Sequence, residues 1–530
     1  MNSISSAGLV HSPPSSFRSF THRPVVLLAF AFFSISRAES TEDSSSAAKW
    51  VGTWYAAPQL VETANNPPSP GLGNNTLRQI VRVSIGGDSV RMRFSNEFGT
   101  GSVTCHTVHF AVSHGGGTVD SSTDCILYFN GKAGMTIPPG TAVTSDPFHF
   151  ALRPRMDVAI TIYFGNTPAA ITGHPGSRTT SYLLTGDGVS RAEFSGAVAT
   201  DHWYTINAIE VLSPPSAACV AILGNSITDG RGSATNMQNR WTDIFSESLL
   251  RDSRTQHVGV LNSGIGGNCG LHGGLGPTGV SRFDRDILDQ PGVRWGIVFE
   301  GVNDIGAVNS ENAATTTARN LIAAYKQMIV RAHAKNIRIY GGTILPFNGN
   351  SYYNHYSELC RSSVNRWIRT TGNFDGCIDF DTVMRNPQDT TRLVSTYQND
   401  GLHPDTAGYK TMGVSIDPIL FAGADTVFEQ GAGIRRLGQG GNEGYTLEQN
   451  SPNPFNPVTT IFFSVPTRSF VSLSVSDSLG REVATLVKGI LAPGRYSINF
   501  DASNLSSGAY VCKLTAGKFT QARRMIRIKS

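Results

Sequence analysis

The sequence predicts three folded domains in succession: a β-sandwich, an α/β domain built on a parallel sheet, and a second, smaller β-sandwich. Apolar and polar residues alternate with the period of strands in the region 50–213. Between 214 and 428, continuous apolar runs alternate with helical stretches, which indicates a parallel sheet covered on both faces. The strand pattern returns at 445–530, after a glycine-rich stretch at 429–444.

Length and composition fit this organisation. A chain of 530 residues is long enough for several domains. Hydrophobic residues make up 39% and charged residues 15%, which excludes a chain that is disordered throughout. Its 43 basic and 39 acidic residues give a net charge of +4 without a polybasic block, so neither nucleic acid nor an anionic membrane is expected as a partner.

The first 38 residues have the layout of a secretory signal peptide. Arg18 and Arg23 precede an apolar run at 25–35, and small residues lead to Ala38, after which we expect cleavage. The run is too short for a membrane anchor, because a helix needs about 20 apolar residues to cross a bilayer. We therefore expect an exported, soluble protein in which a polar leader, 39–49, precedes the first domain.

The domain at 50–213 is predicted to be an antiparallel sandwich of jelly-roll type. Residues 80–85 and 90–94 alternate around a Gly-Gly-Asp turn, which predicts a hairpin with one apolar and one polar face. Met156–Phe164 is a second clear strand. This domain is either a carbohydrate-binding module or a lid over a neighbouring site. Trp50, Trp54 and Tyr55 suit sugar stacking, although aromatic residues near a domain start are more often core.

The domain at 214–428 alternates strands and helices. Its predicted strands are Ala217–Leu223, Val258–Leu261, Ile297–Phe299, Ile337–Ile344 and Cys377–Phe380. Its predicted helices are Trp241–Arg251, Asn312–Lys335 and His355–Arg369. In the domain at 445–530, the predicted strands are Thr459–Val465, Val471–Ser476, Arg495–Phe500, Gly508–Thr515 and Phe519–Ile528.

Seven cysteines in an exported chain make disulfides possible. We expect the pairs Cys105–Cys125 and Cys360–Cys377, while Cys219 and Cys512 suit core positions. The sequence holds no C-x-x-C pair, which argues against a structural zinc site.

Two further groups of metal-ligand residues are weak candidates. His106 and His109 are three apart in a predicted strand and point to opposite faces. Asp120–Asp124 lacks the full pattern of a calcium loop and fits a solvated turn.

Two short motifs carry candidate catalytic residues. Ser226 directly follows the first strand of the parallel sheet, and ligands of such sheets bind at the carboxyl ends of the strands. Asp400 lies three residues before His403, close enough to bind Nδ1 and leave Nε2 free to take a proton from a hydroxyl. Taken singly, the serine fits an ordinary capping residue and the Asp-x-x-His an ordinary loop.

Two more motifs follow the next two strands. The first is a glycine-rich loop containing Gly264, Gly266 and Gly267, and the second contains Asn303. Glycines let backbone N–H groups approach a reacting oxygen closely, and an asparagine supplies an uncharged donor. Each motif alone is also a typical turn.

The order Ser, Gly, Asn, Asp-x-x-His resembles the SGNH hydrolase (GDSL esterase/lipase) family over about 217–425. The resemblance implies a flavodoxin-like α/β/α fold and cleavage of carboxylic esters. The segment Trp50-Val51-Gly52-Thr53-Trp54 is also similar to the start of the β-domain in exported bacterial members.

The resemblance assigns a role to each matching residue. Ser226 is implied as the nucleophile, His403 as the general base and Asp400 as the residue that orients it. The oxyanion hole is implied to consist of the N–H of Ser226, the N–H of Gly267 and the side chain of Asn303. No metal or organic cofactor is required. The sequence departs from the family at Asn225, where an aspartate is usual.

The tail resembles the sorting modules of the type IX secretion pathway, which are Ig-like sandwiches. The matching segments are Asn450–Pro457, Asp477–Val483 and Ser507–Tyr510. The β pattern alone would equally allow a generic Ig-like spacer.

Together these features predict a secreted or cell-surface serine esterase that uses the secretion machinery through its tail. Short-chain or acetyl esters are the expected substrates, with an acetylated glycan as one candidate. The alternatives are a lipase or phospholipase of the same family and a non-catalytic carbohydrate-binding protein. The sequence leaves the oligomeric state open.

Overall fold

A computed structural model of the protein describes residues 48–422, 435–438 and 444–529, apart from 468, 492 and 518. The predicted signal peptide, most of the polar leader and most of the glycine-rich linker lie outside the described residues. Within the described part, no helix is both long and apolar enough to span a membrane.

Strands β1 to β16 form the first domain, and every pairing among them is antiparallel. They are β1 Lys49–Tyr55, β2 Gln59–Leu60, β3 Asn75–Arg82, β4 Gly87–Ser95, β5 Val103–Gly115, β6 Thr118–Val119, β7 Cys125–Ile126, β8 Met135–Ile137, β9 Ala142–Thr144, β10 Phe148–Leu152, β11 Asp157–Phe164, β12 Thr172–His174, β13 Ser181–Thr185, β14 Val198–Thr200, β15 Trp203–Tyr204 and β16 Ile206–Ser213. A five-stranded sheet (β1, β16, β4, β10, β9) and an eight-stranded sheet built around β3, β11 and β5 share one apolar core. The predicted antiparallel sandwich is confirmed.

The predicted hairpin between β3 and β4 is wrong. The strand β3 pairs with β11 and β13 in the eight-stranded sheet, whereas β4 pairs with β16, β10 and β9 in the other sheet. The polar residues of β3 are buried, with the exception of Arg82, whose side chain is 25% exposed. Arg78 is 1% exposed and donates to the carbonyl of Gly117, and Gln79 donates to that of Tyr204. Internal hydrogen bonds therefore allow β3 to be buried on both faces.

The start of β1 lies against the parallel sheet of the second domain. Gly52 N donates to Pro291 O at 2.9 Å, and a side chain at Gly52 would clash with Leu261. Trp54 and Tyr55 are 7% and 2% exposed, so they are core residues rather than a platform for sugar rings. The aromatic segment thus joins the β-domain to the second domain.

The second domain contains a parallel five-stranded sheet in the order β18-β17-β19-β20-β21. Its strands are β17 Ala218–Gly224, β18 Val258–Gly264, β19 Val293–Phe299, β20 Arg338–Gly342 and β21 Gly376–Ile378. Its helices are α1 Ser226–Asp229, α2 Trp241–Arg251, α3 Gly279–Phe283, α4 Val302–Ile305, α5 Glu311–Ala334, α6 His355–Arg369, α7 Phe380–Met384 and α8 Thr406–Ser415. This strand order is that of flavodoxin-like folds, as predicted.

The tail contains two four-stranded antiparallel sheets around a separate apolar core, which confirms the Ig-like sandwich. Its strands are β22 Arg435–Gly438, β23 Thr446–Leu447, β24 Val458–Val465, β25 Ser469–Ser476, β26 Glu482–Leu491, β27 Gly494–Asp501, β28 Gly508–Ala516 and β29 Phe519–Arg527. Three strands were not predicted. They are β26, the short β23, and β22, which lies inside the predicted linker and pairs with β27.

Neither predicted disulfide is present, since all seven cysteines are free. Cys125 pairs with Phe110 across the sheet, and Cys105 lies five residues further along that strand. Five residues span about 16 Å, whereas bridged Cα atoms lie within about 7 Å. Cys360 lies on the buried face of α6, while Cys377 lies in β21 opposite Gly341.

Candidate active site

Ser226 opens a single helical turn at the carboxyl end of β17. Asn225 caps this turn, because its side chain accepts a hydrogen bond from the N–H of Ile227 at 3.1 Å. A side chain at Gly224 would come within 2.1 Å of the Thr228 hydroxyl, which explains the glycine before the cap. The tight turn leaves the Ser226 side chain at the edge of the sheet.

Ser226, His403 and Asp400 form a continuous hydrogen-bonded chain. The hydroxyl Oγ of Ser226 lies 2.9 Å from Nε2 of His403, and Nδ1 of His403 lies 2.8 Å from Oδ2 of Asp400. The other carboxylate oxygen of Asp400 accepts hydrogen bonds from the backbone N–H groups of Leu402 and His403. Ser226 and His403 are buried, and the Asp400 side chain is 39% exposed.

The loop that carries His403 is held at both ends. Gly401 has φ +78°, which favours glycine, and a side chain there would clash with the backbone of Gly349. Helix α8 begins at Thr406, and its cap Asp405 accepts a hydrogen bond from the N–H of Gly408.

The surroundings of His403 favour its neutral form. Burial lowers the pKa of His403 below its usual value of 6.5, and the charges of Arg231 and Arg178 lower it further. The contact with Asp400 opposes this shift only in part. Burial tends to raise the pKa of Asp400, but hydrogen bonds from His403 and Leu402 outweigh it, and the net shift is downward. A neutral imidazole beside a carboxylate can accept a proton from the serine hydroxyl.

The glycine-rich loop after β18 packs against the turn that carries Ser226. A side chain at Gly264 would lie 2.2 Å from the N–H nitrogen of Asp229, so only glycine permits this approach. Gly267 has φ +66°. Within the described residues, the N–H groups of Ser226 and Gly267 donate no hydrogen bond to the protein. Two backbone donors therefore have no partner in the protein, one in the Ser226 turn and one in the loop that packs against it.

Asn303, in α4 after β19, points its side chain at the same loop. Its Nδ2 donates to the carbonyl of Asn268 at 2.7 Å, and its Oδ1 accepts from the hydroxyl of Tyr352 at 3.1 Å. An amide group has two N–H bonds, so one donor remains for a ligand. The neighbouring Asp304 accepts from the N–H groups of Gly270 and Leu271, which fixes α4 to the loop.

A network of buried polar side chains holds the serine loop and the glycine-rich loop in place. Arg282 is fully buried and binds the carbonyls of Gly224 and Ser263 as well as the side chains of Asn268 and Asp286. One guanidinium therefore ties the serine loop to the glycine-rich loop. Sequence reasoning missed Arg282, because no local motif marks it.

Asn225 contacts the same network. Its Nδ2 donates to Oε2 of Glu300 at 3.2 Å, a bond that an ionised aspartate at this position could not make. Glu300 is 1% exposed, and burial raises its pKa to about 8, with Arg282 opposing and Asp304 adding to the shift. The departure from the family pattern thus removes a carboxylate that would have faced Glu300.

The β-domain also reaches the site. His174, in β12, places Nε2 2.9 Å from Oδ1 of Asp229, three residues after Ser226. A side chain at Gly176 would overlap the Asp229 carboxylate, so the two domains are in direct contact here. Sequence reasoning missed this pair, because its members are 55 positions apart and neither belongs to a recognisable motif.

The weak metal candidates are explained by other contacts. His109 binds Asp124 at 2.7 Å, His106 is exposed on the same strand, and Asp120 caps a short turn. Across the described ranges, no cluster of three or more histidine, cysteine or acidic side chains is placed to hold a metal ion.

The parallel sheet carries the hydrogen-bonded chain of Ser226, His403 and Asp400 at its carboxyl edge, an arrangement that fits a hydrolase domain of the GDSL type. The comparisons agree. Residues 222–411 match the model of the GDSL-like lipase/acylhydrolase family. Residues 451–529 match the model of the secretion system C-terminal sorting domain. The protein is a carboxylic ester hydrolase with a sorting tail of the type IX pathway, and it is secreted or displayed at the cell surface.

Similar solved structures include a GDSL-like lipase from Bacteroides thetaiotaomicron VPI-5482, with 19% identity over 37% of this chain and 84% of that one, at a TM-score of 0.26. The acetylxylan esterase Axe2 from Geobacillus stearothermophilus has 15% identity over 37% of this chain and 91% of that one, at a TM-score of 0.27. The salicylyl-acyltransferase SsfX3 from a tetracycline biosynthetic pathway has 13% identity over 64% of this chain and 79% of that one, at a TM-score of 0.27. A search of curated proteins gave no match.

Proposed function

We propose that the protein is a serine esterase that hydrolyses short-chain acyl or acetyl esters outside the cell, with acetylated polysaccharides as one substrate class. The observation that carries this proposal is the hydrogen-bonded chain from Ser226 through His403 to Asp400. We also propose the division into a β-sandwich at 50–213, a catalytic domain at 214–428 and a sorting domain at 445–530.

In the proposed mechanism, His403 Nε2 removes the proton of the Ser226 hydroxyl while Oγ attacks the ester carbonyl. The proton then passes to the leaving alcohol, and an acyl group remains on Ser226. Water activated by the same nitrogen releases the acid. Asp400 holds Nδ1–H of His403 and stabilises the imidazolium that forms in each step.

The oxyanion of each tetrahedral intermediate is assigned to the N–H groups of Ser226 and Gly267 and to the side chain of Asn303. Three features support this assignment: two backbone donors without a protein partner, and an amide whose orientation is fixed by Asn268 and Tyr352. Donors that are already oriented stabilise developing charge without a cost of reorganisation.

A short acyl group suits the surroundings of Gly267. Leu275 lies next to Gly267, where a side chain would come within 3.2 Å of its Cδ1, and Leu275 is 47% exposed. We infer that this partly exposed leucine would border the acyl group and suits an acetyl or butyryl ester. Because Trp54 and Tyr55 are core residues, the case for a glycan substrate rests on export rather than on a sugar-binding surface.

The test is hydrolysis of 4-nitrophenyl acetate, butyrate and palmitate by the whole protein, beside the variant Ser226→Ala. We expect serine-dependent activity that falls steeply with chain length, and release of acetate from acetylated xylan. Preference for palmitate would indicate a lipase instead. Activity that survives Ser226→Ala, or no activity on any ester, would overturn the catalytic assignment.

A further inference from the structure

Two arginines from different parts of the chain lie against the helical turn that begins with Ser226: the N–H of Arg231 donates to the carbonyl of Ser226, and Nη2 of Arg178 lies 3.9 Å from Oδ2 of Asp229. Arg178 belongs to the β-domain and follows β12, and Arg231 lies two residues after α1. Both charges act on His403, where they add to the effect of burial in lowering its pKa. The turn that carries Ser226 is therefore contacted by two cationic residues that the proposed mechanism does not use.

The backbone of Arg178 is held against the catalytic domain. Its carbonyl accepts from the N–H of Asn236 at 3.0 Å, and the next residue, Thr179, accepts from the side chain of Gln238 at 2.8 Å. Arg178 has φ +49°, a left-handed conformation that residues other than glycine adopt only at an energetic cost. Such conformations cluster at functional sites, where the surrounding structure holds them.

The Arg178 side chain retains donors for a ligand. Its Nη2 lies 3.9 Å from Oδ2 of Asp229, beyond hydrogen-bond distance, while Oδ1 of Asp229 is bound by His174. Its Nε is buried and donates no hydrogen bond within the described residues. The Arg178 side chain is 33% exposed, so a ligand can still reach it.

Arg231 is anchored by its backbone and leaves its side chain exposed. Its N–H donates to the carbonyl of Ser226 at 2.9 Å, and its carbonyl accepts from the hydroxyl of Tyr409 at 2.7 Å. Asp400 pairs with His403, and Asp229 pairs with His174 through Oδ1 while its Oδ2 lies 3.9 Å from Nη2 of Arg178. Within the described residues, Arg178 has only this long ion pair, and the Arg231 side chain has none.

We propose that Arg178 and Arg231 form an anion-binding subsite beside Ser226, which selects ester substrates that carry a carboxylate or another anionic oxygen group near the scissile bond. The subsite deepens the proposed esterase function and rests on it. A guanidinium binds carboxylate and similar oxyanions through two parallel N–H donors. Because one arginine comes from each domain, the β-domain takes part in substrate selection.

The test compares matched esters that differ in one charge. Mono-4-nitrophenyl succinate and 4-nitrophenyl pentanoate place the charge on the acyl side, and 4-acetoxybenzoate and its methyl ester place it on the alcohol side. In Arg178→Gln and Arg231→Gln, we expect kcat/KM for the anionic member of at least one pair to fall about tenfold through KM. The neutral member should change by less than about twofold. Arg178→Lys and Arg231→Lys should recover part of the loss.

A control and two further readouts separate this subsite from a structural role. Arg366→Gln removes an exposed arginine in the last turn of α6 and should leave both pairs unchanged. In the arginine variants, the acid limb of kcat/KM should move to higher pH, because a charge that lowers the His403 pKa is lost. Calorimetric binding of succinate to Ser226→Ala, weakened by either Arg→Gln change, tests the subsite without turnover.

The subsite is overturned if the wild type shows no preference for either anionic ester and Ser226→Ala does not bind succinate. It is also overturned if the arginine variants lose activity on neutral and anionic esters equally. Loss of all ester hydrolysis with succinate binding intact would instead count against the proposed function alone.

Discussion

His174 of the β-domain contacts Asp229 of the helical turn that begins with Ser226, with 2.9 Å between Nε2 and Oδ1. Nδ1 of His174 lies 3.0 Å from the carbonyl oxygen of Ala57. Both ring nitrogens of His174 therefore face oxygen atoms, one in the β-domain and one in the helical turn. The β-domain thus holds the nucleophile turn directly.

The change His174→Asn tests this role. It should lower kcat about 10–100-fold, because the buried Asp229 loses its partner and the Ser226 turn shifts. KM for 4-nitrophenyl acetate should change little, since His174 is not placed in contact with substrate. The control is His149→Asn, at an exposed histidine of β10. Equal kcat values for His174→Asn and wild type would show that the contact only packs the domains together.

The change Asn303→Ala removes the side-chain donor assigned to the oxyanion. Loss of one such donor costs about 10²–10³ in kcat, so we expect severe but incomplete loss. Tyr352→Phe should cost much less, because it only frees the amide oxygen that the tyrosine hydroxyl orients. Single-turnover acylation rates measure both effects. A loss on Asn303→Ala no larger than that on Tyr352→Phe would remove Asn303 from the oxyanion hole.

The change Asp400→Asn tests whether Asp400 acts by orienting His403 rather than by filling space beside it. It should lower kcat by about 10⁴, as expected when the base loses the group that fixes its tautomer. The contact with Asp400 raises the His403 pKa, whereas burial and two arginines lower it. The base must be neutral to act, so the acid limb of kcat/KM should lie below pH 6.5 in wild type and lower still in the variant. An acid limb at or above pH 6.5 in wild type would contradict this account.

The sequence predicted those parts of the fold that depend on local pattern. The helices Trp241–Arg251 and His355–Arg369 have the predicted bounds, because apolar spacing marks one face of each. Asp400 and His403 lie together because they are only three positions apart in one loop.

The predictions that failed concern residues whose partners are distant in the sequence. The hairpin predicted over 80–94 failed because β3 pairs with β11 and β13, and the Arg78 and Gln79 side chains of β3 are buried against the carbonyls of Gly117 and Tyr204. His174 and Asp229 meet only because one domain packs on the other, and no period or motif in the sequence encodes that contact.

The cysteines offer a direct chemical test of the fold. All seven should be thiols, so alkylation of the denatured protein without reductant should modify every one of them. In the folded state, burial raises the pKa of Cys105 and Cys219 to about 12, so both should resist alkylation at neutral pH. Mass spectrometry of both samples measures this. A peptide linked through Cys105 and Cys125 would contradict the observed strand register.

The change Asn225→Asp restores the residue usual in the family, yet we expect it to destabilise this protein at high pH. Asn225 donates to Glu300, whose pKa burial raises to about 8. Because native Glu300 keeps a proton that the unfolded chain loses near pH 4.5, its contribution to stability declines as pH rises between these two values. In Asn225→Asp, a second carboxylate faces Glu300 and raises the pKa of Glu300 further. The loss of stability with rising pH then continues to higher pH.

Thermal unfolding between about pH 5 and pH 9 measures this coupling. The Tm of Asn225→Asp should fall more steeply with pH than that of wild type, and the Tm of Glu300→Gln less steeply. Asn336→Asp adds a charge at an exposed position after α5 and should follow wild type. The opposing result is a Tm of Asn225→Asp with the same pH dependence as that of wild type, while the Tm of Glu300→Gln depends less on pH. In that case Glu300 titrates in the folded protein, but residue 225 does not affect its pKa. The hydrogen bond between them would then not explain the asparagine.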